Sequence, residues 1–130
     1  MERIGAAEFS ILTWDESTIS EIATGRKITQ AKISASYQGD MEGKSVTETL
    51  MTYSPNGDAS FMGIEHFTGT IFGKKGSCVL HHFGSYSDGV ARSVWNLIDS
   101  AGTEGLAGVS GSGSYSAGRD GKALVTFLLN

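Results

Sequence analysis

The sequence contains one cysteine, one proline and no long apolar run. Because Cys78 is the only thiol, an intramolecular disulfide and a cysteine-rich zinc site are both excluded. No apolar stretch approaches the roughly 20 residues of a membrane-spanning helix, so we expect no membrane segment. Residues 1–5 lack the basic and then apolar pattern of a secretion signal, and we therefore expect a cytoplasmic protein.

Charge of either sign is also sparse. Charged residues make up 18% of the chain, the formal net charge is −4, and the sequence shows no basic stripe. Nucleic acid is therefore not an expected partner. Hydrophobic residues make up 39% of the chain, a fraction too high for a disordered protein. The 130 residues predict one domain, 1–130, which is large enough to bury a core without disulfides or metal.

Glycine, in contrast, is abundant. The 18 glycines fall mostly between runs that are rich in β-branched and aromatic residues, which predicts turns and bulges between short strands. From Ile64 to Ile98, three such runs are separated by two short turns, Gly73–Gly76 and Ser87–Gly89. This is the pattern of a β-meander, in which antiparallel strands are joined by hairpins.

The same pattern predicts strands on both sides of this meander. The predicted strands are 8–14, 26–39 and 44–54 before it, 59–72 as the strand that enters it, and 111–117 and 122–129 after it. The polar segment Asp15–Gly25 has no strong period, and we expect a loop or one helical turn that begins at Thr18. Residues 99–110 are expected to form an irregular, partly buried loop.

About eight strands with almost no helix signal predict an all-β fold, either a sandwich or a barrel. Pairing between the first and last strands, which are both apolar, would close the sheet and remove its unpaired edges. Small and large residues are mixed on one face of the strand 59–72, as the interior of a tapered barrel requires. We therefore expect an eight-stranded antiparallel meander barrel.

Several motifs, taken together, resemble a known family. They are Thr13-Trp14-Asp15-Glu16, Tyr37-x-Gly39-Asp40-x-Glu42-Gly43, Glu48-x-Leu50-Met51-x-Tyr53, Ala59-Ser60-Phe61-x-Gly63-x-Glu65-x-Phe67-Thr68-Gly69-Thr70, His82-x-Gly84 and Gly102-Thr103-x-Gly105-Leu106-Ala107-Gly108-x-x-Gly111. Over about residues 9–129, the chain resembles a small bacterial family of unknown function whose fold is grouped with the allene oxide cyclase barrel. The resemblance implies an eight-stranded antiparallel barrel that is often oligomeric, so a homo-oligomer is expected. It implies no known reaction, and no catalytic residue of the cyclases is carried over.

Glu65 is the first candidate for a functional residue, because it lies among apolar and small residues on one strand face. If this face lines the interior of a barrel, desolvation would raise the pKa of the carboxyl group and suit it to general acid or base catalysis. The alternatives are that the face points outward, or that an arginine such as Arg92 pairs with Glu65.

His82 is the second candidate. His81 and His82 are adjacent, so in a strand they point to opposite faces and do not bind one metal ion together. His66 could face His82 across the hairpin, but no third ligand is evident, and we expect no metal site. His82 is expected inside the barrel, hydrogen-bonded to Glu65 or Tyr53. Such a pair would either transfer protons or merely satisfy a buried histidine.

The remaining candidates are Glu48, Tyr53, Arg92 and Trp95. Glu48 and Tyr53 lie on opposite faces of their strand, so only one of them is expected to point inward. Tyr53 would present its hydroxyl group to a cavity or pack in the core. Trp95, like Trp14, would be a ligand wall if an apolar cavity exists, and core or rim packing otherwise.

Two functions remain open. In the first, the barrel binds a small, mostly apolar ligand at its open end, with cyclase-like or isomerase-like chemistry at Glu65, His82 and Tyr53. An eight-stranded barrel is just wide enough to hold one small ligand or to be filled by its own side chains. No cofactor is expected.

In the second, the protein is not a catalyst and acts through oligomerisation or a protein partner. An interior filled by Phe61, Phe67 and Leu80 would favour this function. A cavity with convergent polar groups would favour the first.

Overall fold

The structure, a computed structural model, describes residues 2–130 and forms eight strands and two short 3-10 turns over that range. The strands are β1 (Arg3–Ala23), β2 (Arg26–Gly39), β3 (Met41–Tyr53), β4 (Ala59–Ile71), β5 (Lys74–Ser87), β6 (Val90–Leu97), β7 (Gly111–Ala117) and β8 (Lys122–Leu129). The two turns are Asp99–Ala101 and Glu104–Leu106, in the segment predicted to be an irregular loop. Among residues 2–130, no helix has the length and hydropathy that are needed to cross a bilayer.

Each strand pairs with the next in antiparallel fashion, and β1 also pairs with β8, so the sheet closes on itself. The predicted pairing of the first and last strands is confirmed, with Ala7 opposite Val125. The all-β class and the eight antiparallel strands are confirmed as well. We refer to this arrangement as the closed sheet.

Strand alternation decides which side chains face the interior of the closed sheet. On β4, Glu65 and Phe67 are 3% and 0% exposed, whereas His66 between them is exposed. The face of β4 with mixed residue sizes therefore lines the interior, as predicted. The alternative that this face points outward is wrong.

One half of the interior is filled by apolar side chains. Phe67 and Leu80 are fully buried in the main core, together with Ile71. Leu106, from the second 3-10 turn, is 1% exposed and packs into the same cluster, so the segment after β6 covers this end. The free space described below therefore lies toward the other end of the closed sheet.

The first hairpin differs most from the sequence prediction. Residues 15–25 were predicted as a loop or helical turn, but β1 continues to Ala23 and pairs with β2, with Glu16 opposite Ala31. Its pairing with β8 ends at Ser10, and side chains 12–26 are exposed. A strand that is solvated on both faces has no apolar alternation, which is why the pattern was missing.

The turn between β4 and β5 is also displaced from its predicted position. The prediction placed it at 73–76, but β5 begins at Lys74, and the turn residues are Phe72 and Gly73. Their φ angles are 51° and 78°, both in the left-handed region. Two positive φ angles are typical of the tight hairpin turn whose twist matches the flanking strands. The shift changes which residues of β4 and β5 face one another.

Candidate functional site

Glu65 and His82 meet in the interior, on the neighbouring strands β4 and β5. Nε2 of His82 lies 2.6 Å from Oε1 of Glu65, and the two residues are 5% and 3% exposed. The register sets Leu80 opposite Glu65 and Gly63 opposite His82, so the pair is diagonal on one face of the sheet. Of the two partners considered for His82 in the sequence, Glu65 is the one observed, and Tyr53 is bonded elsewhere. Pairing of Glu65 with Arg92 is wrong, because Arg92 is exposed on the outer face.

Two further polar side chains complete this buried network. The hydroxyl group of Tyr37 donates to Oε2 of Glu65 at 2.7 Å. On the other side of the pair, Nδ1 of His82 lies 3.1 Å from Oγ of Ser93. The order Tyr37–Glu65–His82–Ser93 thus spans four strands, and we call these residues the interior network. Sequence analysis missed Tyr37 and Ser93, although both lie on inward faces of their strands.

The charge state of Glu65 differs from the expectation drawn from the sequence. Burial raises the pKa of this carboxyl group, but the hydrogen bond and charge of His82 and the hydrogen bond of Tyr37 outweigh burial. The pKa therefore lies below its ordinary value, and Glu65 is a carboxylate at neutral pH. The sequence prediction for this pKa considered desolvation alone, although His82 was already a candidate partner, and Tyr37 was not foreseen.

The phenol groups around this carboxylate are held in their neutral form. Burial and the nearby charge of Glu65 raise the pKa of Tyr37 well above its usual value, and the same two causes raise the pKa of Tyr115. The ring of Tyr115 lies against the imidazole of His82, with centroids 5.8 Å apart. Both tyrosines therefore remain hydrogen-bond donors across the physiological pH range.

The network can hold its protons in two arrangements. Oγ of Ser93 lies within hydrogen-bond distance of both Nδ1 of His82 and the carbonyl oxygen of Phe83, the second at 3.1 Å. The hydroxyl group can donate to a neutral imidazole, or rotate to the carbonyl group and accept from a protonated one. Ser93 can therefore act as donor or acceptor toward Nδ1 while Nε2 of His82 keeps its contact with Glu65. This is the chemistry that a proton-transfer site requires.

A cavity of about 100 Å³ adjoins the network. Most of its walls are apolar, with Phe9, Ile33, Met51 and Phe61 among them. The polar groups on its lining include Thr47, Thr49, Glu65 and His82 from the adjacent strands β3 to β5, and Tyr115 from β7. The mouth includes the partly exposed side chains of Trp14 and Tyr86, which are 48% and 39% exposed.

Trp14, considered as a ligand wall from the sequence, thus borders the cavity, whereas Glu48, Tyr53, Arg92 and Trp95 do not. Glu48 points outward and accepts a hydrogen bond from Nε2 of Gln30 at 3.2 Å. Trp95 is 2% exposed and packs in the core, where its ring centroid lies 6.2 Å from that of Phe127. Arg92 lies outside, as described. Tyr53 belongs instead to a second polar cluster.

The second cluster lies near the mouth and is centred on Glu16. Its carboxylate accepts hydrogen bonds from Nε1 of Trp14 at 2.8 Å, Oγ1 of Thr29 at 2.6 Å and the hydroxyl group of Tyr53 at 2.7 Å. Burial alone would raise the pKa of Glu16, but these hydrogen bonds lower it below the usual value. Burial and Glu16 raise the pKa of Tyr53 to about 12. The cluster holds Trp14 at the cavity mouth.

No site for a metal ion is formed by the part of the chain from residue 2 to residue 130, where no three His, Cys, Asp or Glu side chains converge. His66 is exposed on the outer face and lies opposite Val79. It therefore does not approach His82. The facing of His66 and His82 considered from the sequence is wrong, because the turn at Phe72 and Gly73 sets a different register.

Comparison with known proteins gives a family and a fold. The sequence model of a family described as "Protein of unknown function (DUF3224)" matches residues 5–129. No curated protein matches the chain. Among solved structures, a DUF3224 protein of unknown function from Shewanella oneidensis MR-1 is similar to it, with a TM-score of 0.73 and 23% identity. The match covers 100% of this chain and 96% of the other, and at this identity it shows the fold alone.

Proposed function

Because the chain belongs to the DUF3224 family of proteins of unknown function, we propose a function for it from the geometry of its interior. The protein binds a small, mostly apolar ligand in the cavity, and one polar group of the ligand faces Glu65 and His82. The mouth near Trp14 and Tyr86 is the entrance.

The observation that supports this proposal is a buried carboxylate–imidazole pair that borders an otherwise apolar cavity. Burial of charged groups carries a penalty of several kcal/mol per ion, and packed apolar residues would stabilise the fold as well or better. A cavity with apolar walls and a few convergent polar groups is the usual form of a ligand site. The half of the interior around Phe67 and Leu80 is filled by apolar side chains without a carboxylate–imidazole pair.

The cavity volume limits the size of the ligand. Typical ligand pockets hold about 300–1,000 Å³, whereas a cavity of about 150 Å³ holds one benzene molecule. A volume of about 100 Å³ therefore accepts a ligand, or one end of a ligand, of comparable or smaller size. An O–H or N–H group on that end would donate to the carboxylate of Glu65. A longer ligand would extend past Trp14.

Chemistry on the bound ligand is the second part of the proposal. The observation that favours it is that the network holds a carboxylate and an imidazole in contact beside the same cavity. A positioned acid or base of this kind accelerates proton transfer by about 10²–10⁴-fold. The resemblance to the allene oxide cyclase barrel belongs to this part, and it favours cyclisation or isomerisation.

Phenol and toluene are matched probes for this site. Both are slightly larger than benzene and would extend toward the mouth at Trp14, but only phenol carries an O–H group for Glu65. We expect phenol to shift the ring signals of His82 in NMR spectra, at concentrations where toluene shifts them less. The rings of His66 and His81 face outward and are the internal controls.

The variant Glu65→Gln separates the polar contact from the apolar cavity. It is expected to weaken phenol binding more than toluene binding, because only phenol loses the charged acceptor. If neither probe moves the His82 signals up to the solubility limit, the cavity does not bind ligands of this class. Native mass spectrometry of freshly purified protein then identifies any molecule that is retained from the cell.

A further inference from the structure

The outer surface of the closed sheet carries an apolar patch on four consecutive strands. Six large apolar side chains are between 41% and 59% exposed there, and we call them the outer apolar patch. They are Leu50, Met62, Phe83 and Val94, which form one cross-strand row on β3 to β6, and Val46 and Ile64 beside that row. Residues that are adjacent in such a row have touching side chains, so the patch is continuous.

The fold itself does not require this patch. An antiparallel sheet with one solvated face alternates apolar residues inside with polar residues outside. Strand β7 follows this rule, with Ser112, Ser114 and Ser116 pointing outward, and so does β2, with Lys32 and Ser34. On β4 to β6, the interior face already supplies large buried apolar side chains, among them Phe67, Leu80 and Trp95. The apolar residues on the outer face therefore contribute little to the core.

The area of the patch is close to that of one side of a protein interface. Six side chains of this size and exposure present on the order of 600 Å², while a standard interface buries about 800 Å² on each partner. The largest apolar patch on a typical monomer is roughly 300–600 Å² and is often functional. With a modest polar rim, the patch is large enough for stable pairing.

The surface of the patch is not flat. Phe83 borders two shallow hollows, one lined by Leu50, Met62 and Ile64 and the other by Val94 and small residues of β7. A two-fold axis would set the Phe83 ridge of each copy into a hollow of the other, as in isologous dimers. A partner without the same ridge would leave one hollow empty.

The charges at the rim also permit contact between two copies. The chain has a net charge of −4, which would oppose self-association through an acidic surface. The patch and its rim instead carry both signs. Glu48 lies between Val46 and Leu50 on β3, and Lys44 and Arg92 lie at the rim on β3 and β6. Contact between two copies through this face therefore does not bring charges of one sign alone together.

From these observations, we propose that the outer apolar patch is the contact surface of a symmetric dimer of this chain. The two closed sheets pack face to face through β3 to β6. Such packing sets the sheets about 10 Å apart, with interdigitating side chains. The dimer contact is on the outside of the sheet, so it is independent of a ligand in the cavity.

Sedimentation equilibrium of the full chain tests this proposal. We expect the wild type to be a dimer, and Phe83→Glu to weaken dimerisation by at least about a hundredfold, because the substitution occurs twice in the interface. Ile4→Glu is the matched control, since Ile4 is 80% exposed on β1 and lies away from the patch. This control is expected to remain a dimer. A wild type that stays monomeric at all concentrations overturns the proposal.

The alternative dimer contact is the edge of β1 beyond Ser10, where β1 is not paired with β8. Dimer loss in Ile19→Glu together with a stable dimer in Phe83→Glu would overturn the proposal in favour of that edge. Binding of monomers to phosphatidylglycerol vesicles, lost in Phe83→Glu, would overturn it in favour of a membrane surface. Near-ultraviolet circular dichroism confirms that each variant is folded.

Cross-linking keeps the test valid if Phe83→Glu fails to fold. Cys78 is buried and is the only native thiol, so a cysteine introduced on the surface is the one that reacts. Met62→Cys is expected to give a covalent dimer with a short bismaleimide, and Ile4→Cys is expected to give none. Equal cross-linking of the two variants would contradict the proposed surface.

Discussion

His82 and Glu65 are bonded at 2.6 Å in the interior, whereas His81, one residue earlier in the chain, is exposed on the outer face. One step along a strand therefore changes a histidine from a solvated side chain to a member of a buried pair. His81 is therefore an internal control for the role of His82, because it lies on the same strand and is also a histidine but does not contact Glu65.

This pair of histidines gives the first prediction. His82→Ala leaves the carboxylate of Glu65 buried without its main partner, and such a loss lowers the free energy of unfolding by about 3–5 kcal/mol. His81→Ala removes an exposed side chain and is expected to change the free energy of unfolding by no more than about 0.5 kcal/mol. Urea unfolding at neutral pH measures both. Similar values for the two variants would mean that the buried pair does not stabilise the fold.

The second prediction concerns stability in acid. The pKa of Glu65 is lower in the folded chain than in the unfolded one, so its contribution to stability is present above about pH 4.5 and is lost as the pH falls through the folded-state pKa. Glu65→Gln removes this contribution. The difference in unfolding free energy between wild type and Glu65→Gln should therefore be largest near neutral pH and shrink in acid.

The control for this experiment is Glu48→Gln, because Glu48 is exposed on the outer face. Its stability curve is expected to follow that of the wild type. Glu16 also has a lowered pKa and is unchanged in these variants, so Glu65→Gln retains part of the acid dependence. Parallel curves for wild type and Glu65→Gln from pH 6 to the acid limit would contradict the charge state inferred for Glu65.

The third prediction concerns stability in alkali. The pKa of Tyr53 is about 12, and those of Tyr37 and Tyr115 are also raised. A raised pKa gives stability that is complete below the unfolded value of about 10 and is lost as the pH rises through the folded value. The folded chain should therefore show at most one of its four phenolates at about pH 11, and the urea-unfolded chain all four. Ultraviolet difference spectra count the phenolates, and two or more in the folded chain would contradict this prediction.

Alternation along β4 was enough to predict which face of the strand is buried. Ala59, Phe61, Gly63, Glu65 and Phe67 all fall on the inward face because a strand has a period of two, whatever its partners. The partners of Glu65 were harder to predict. His82 follows in the next strand, but Tyr37 comes from β2 and Ser93 from β6, and their approach depends on the register of the whole sheet.

The predicted position of the turn between β4 and β5 was wrong because the turn begins at a residue type that sequence rules do not place in turns. Phe72 has a φ of 51°, and a bulky residue is rare in that region. The turn was therefore predicted at the glycines and lysines that follow. In the structure, the Phe72 ring lies 5.3 Å from that of Phe127 and the guanidinium group of Arg3 lies 3.9 Å above it. These tertiary contacts offset the local strain and are not visible in the sequence.

The fourth prediction comes from a close approach between β3 and β4. Gly69 lies opposite Gly43, and a Cβ atom on Gly69 would collide with the carbonyl oxygen of Glu42 and lie 2.8 Å from Cα of Gly43. The strands cannot separate without loss of their hydrogen bonds, so Gly69→Ala should lower the unfolding free energy by roughly 1–3 kcal/mol. Gly118→Ala is the control, because its nearest neighbour, Oδ1 of Asp120, would be 3.8 Å away. Its effect should stay within about 0.5 kcal/mol, and equal urea midpoints for the two variants would show that β3 and β4 are farther apart than described.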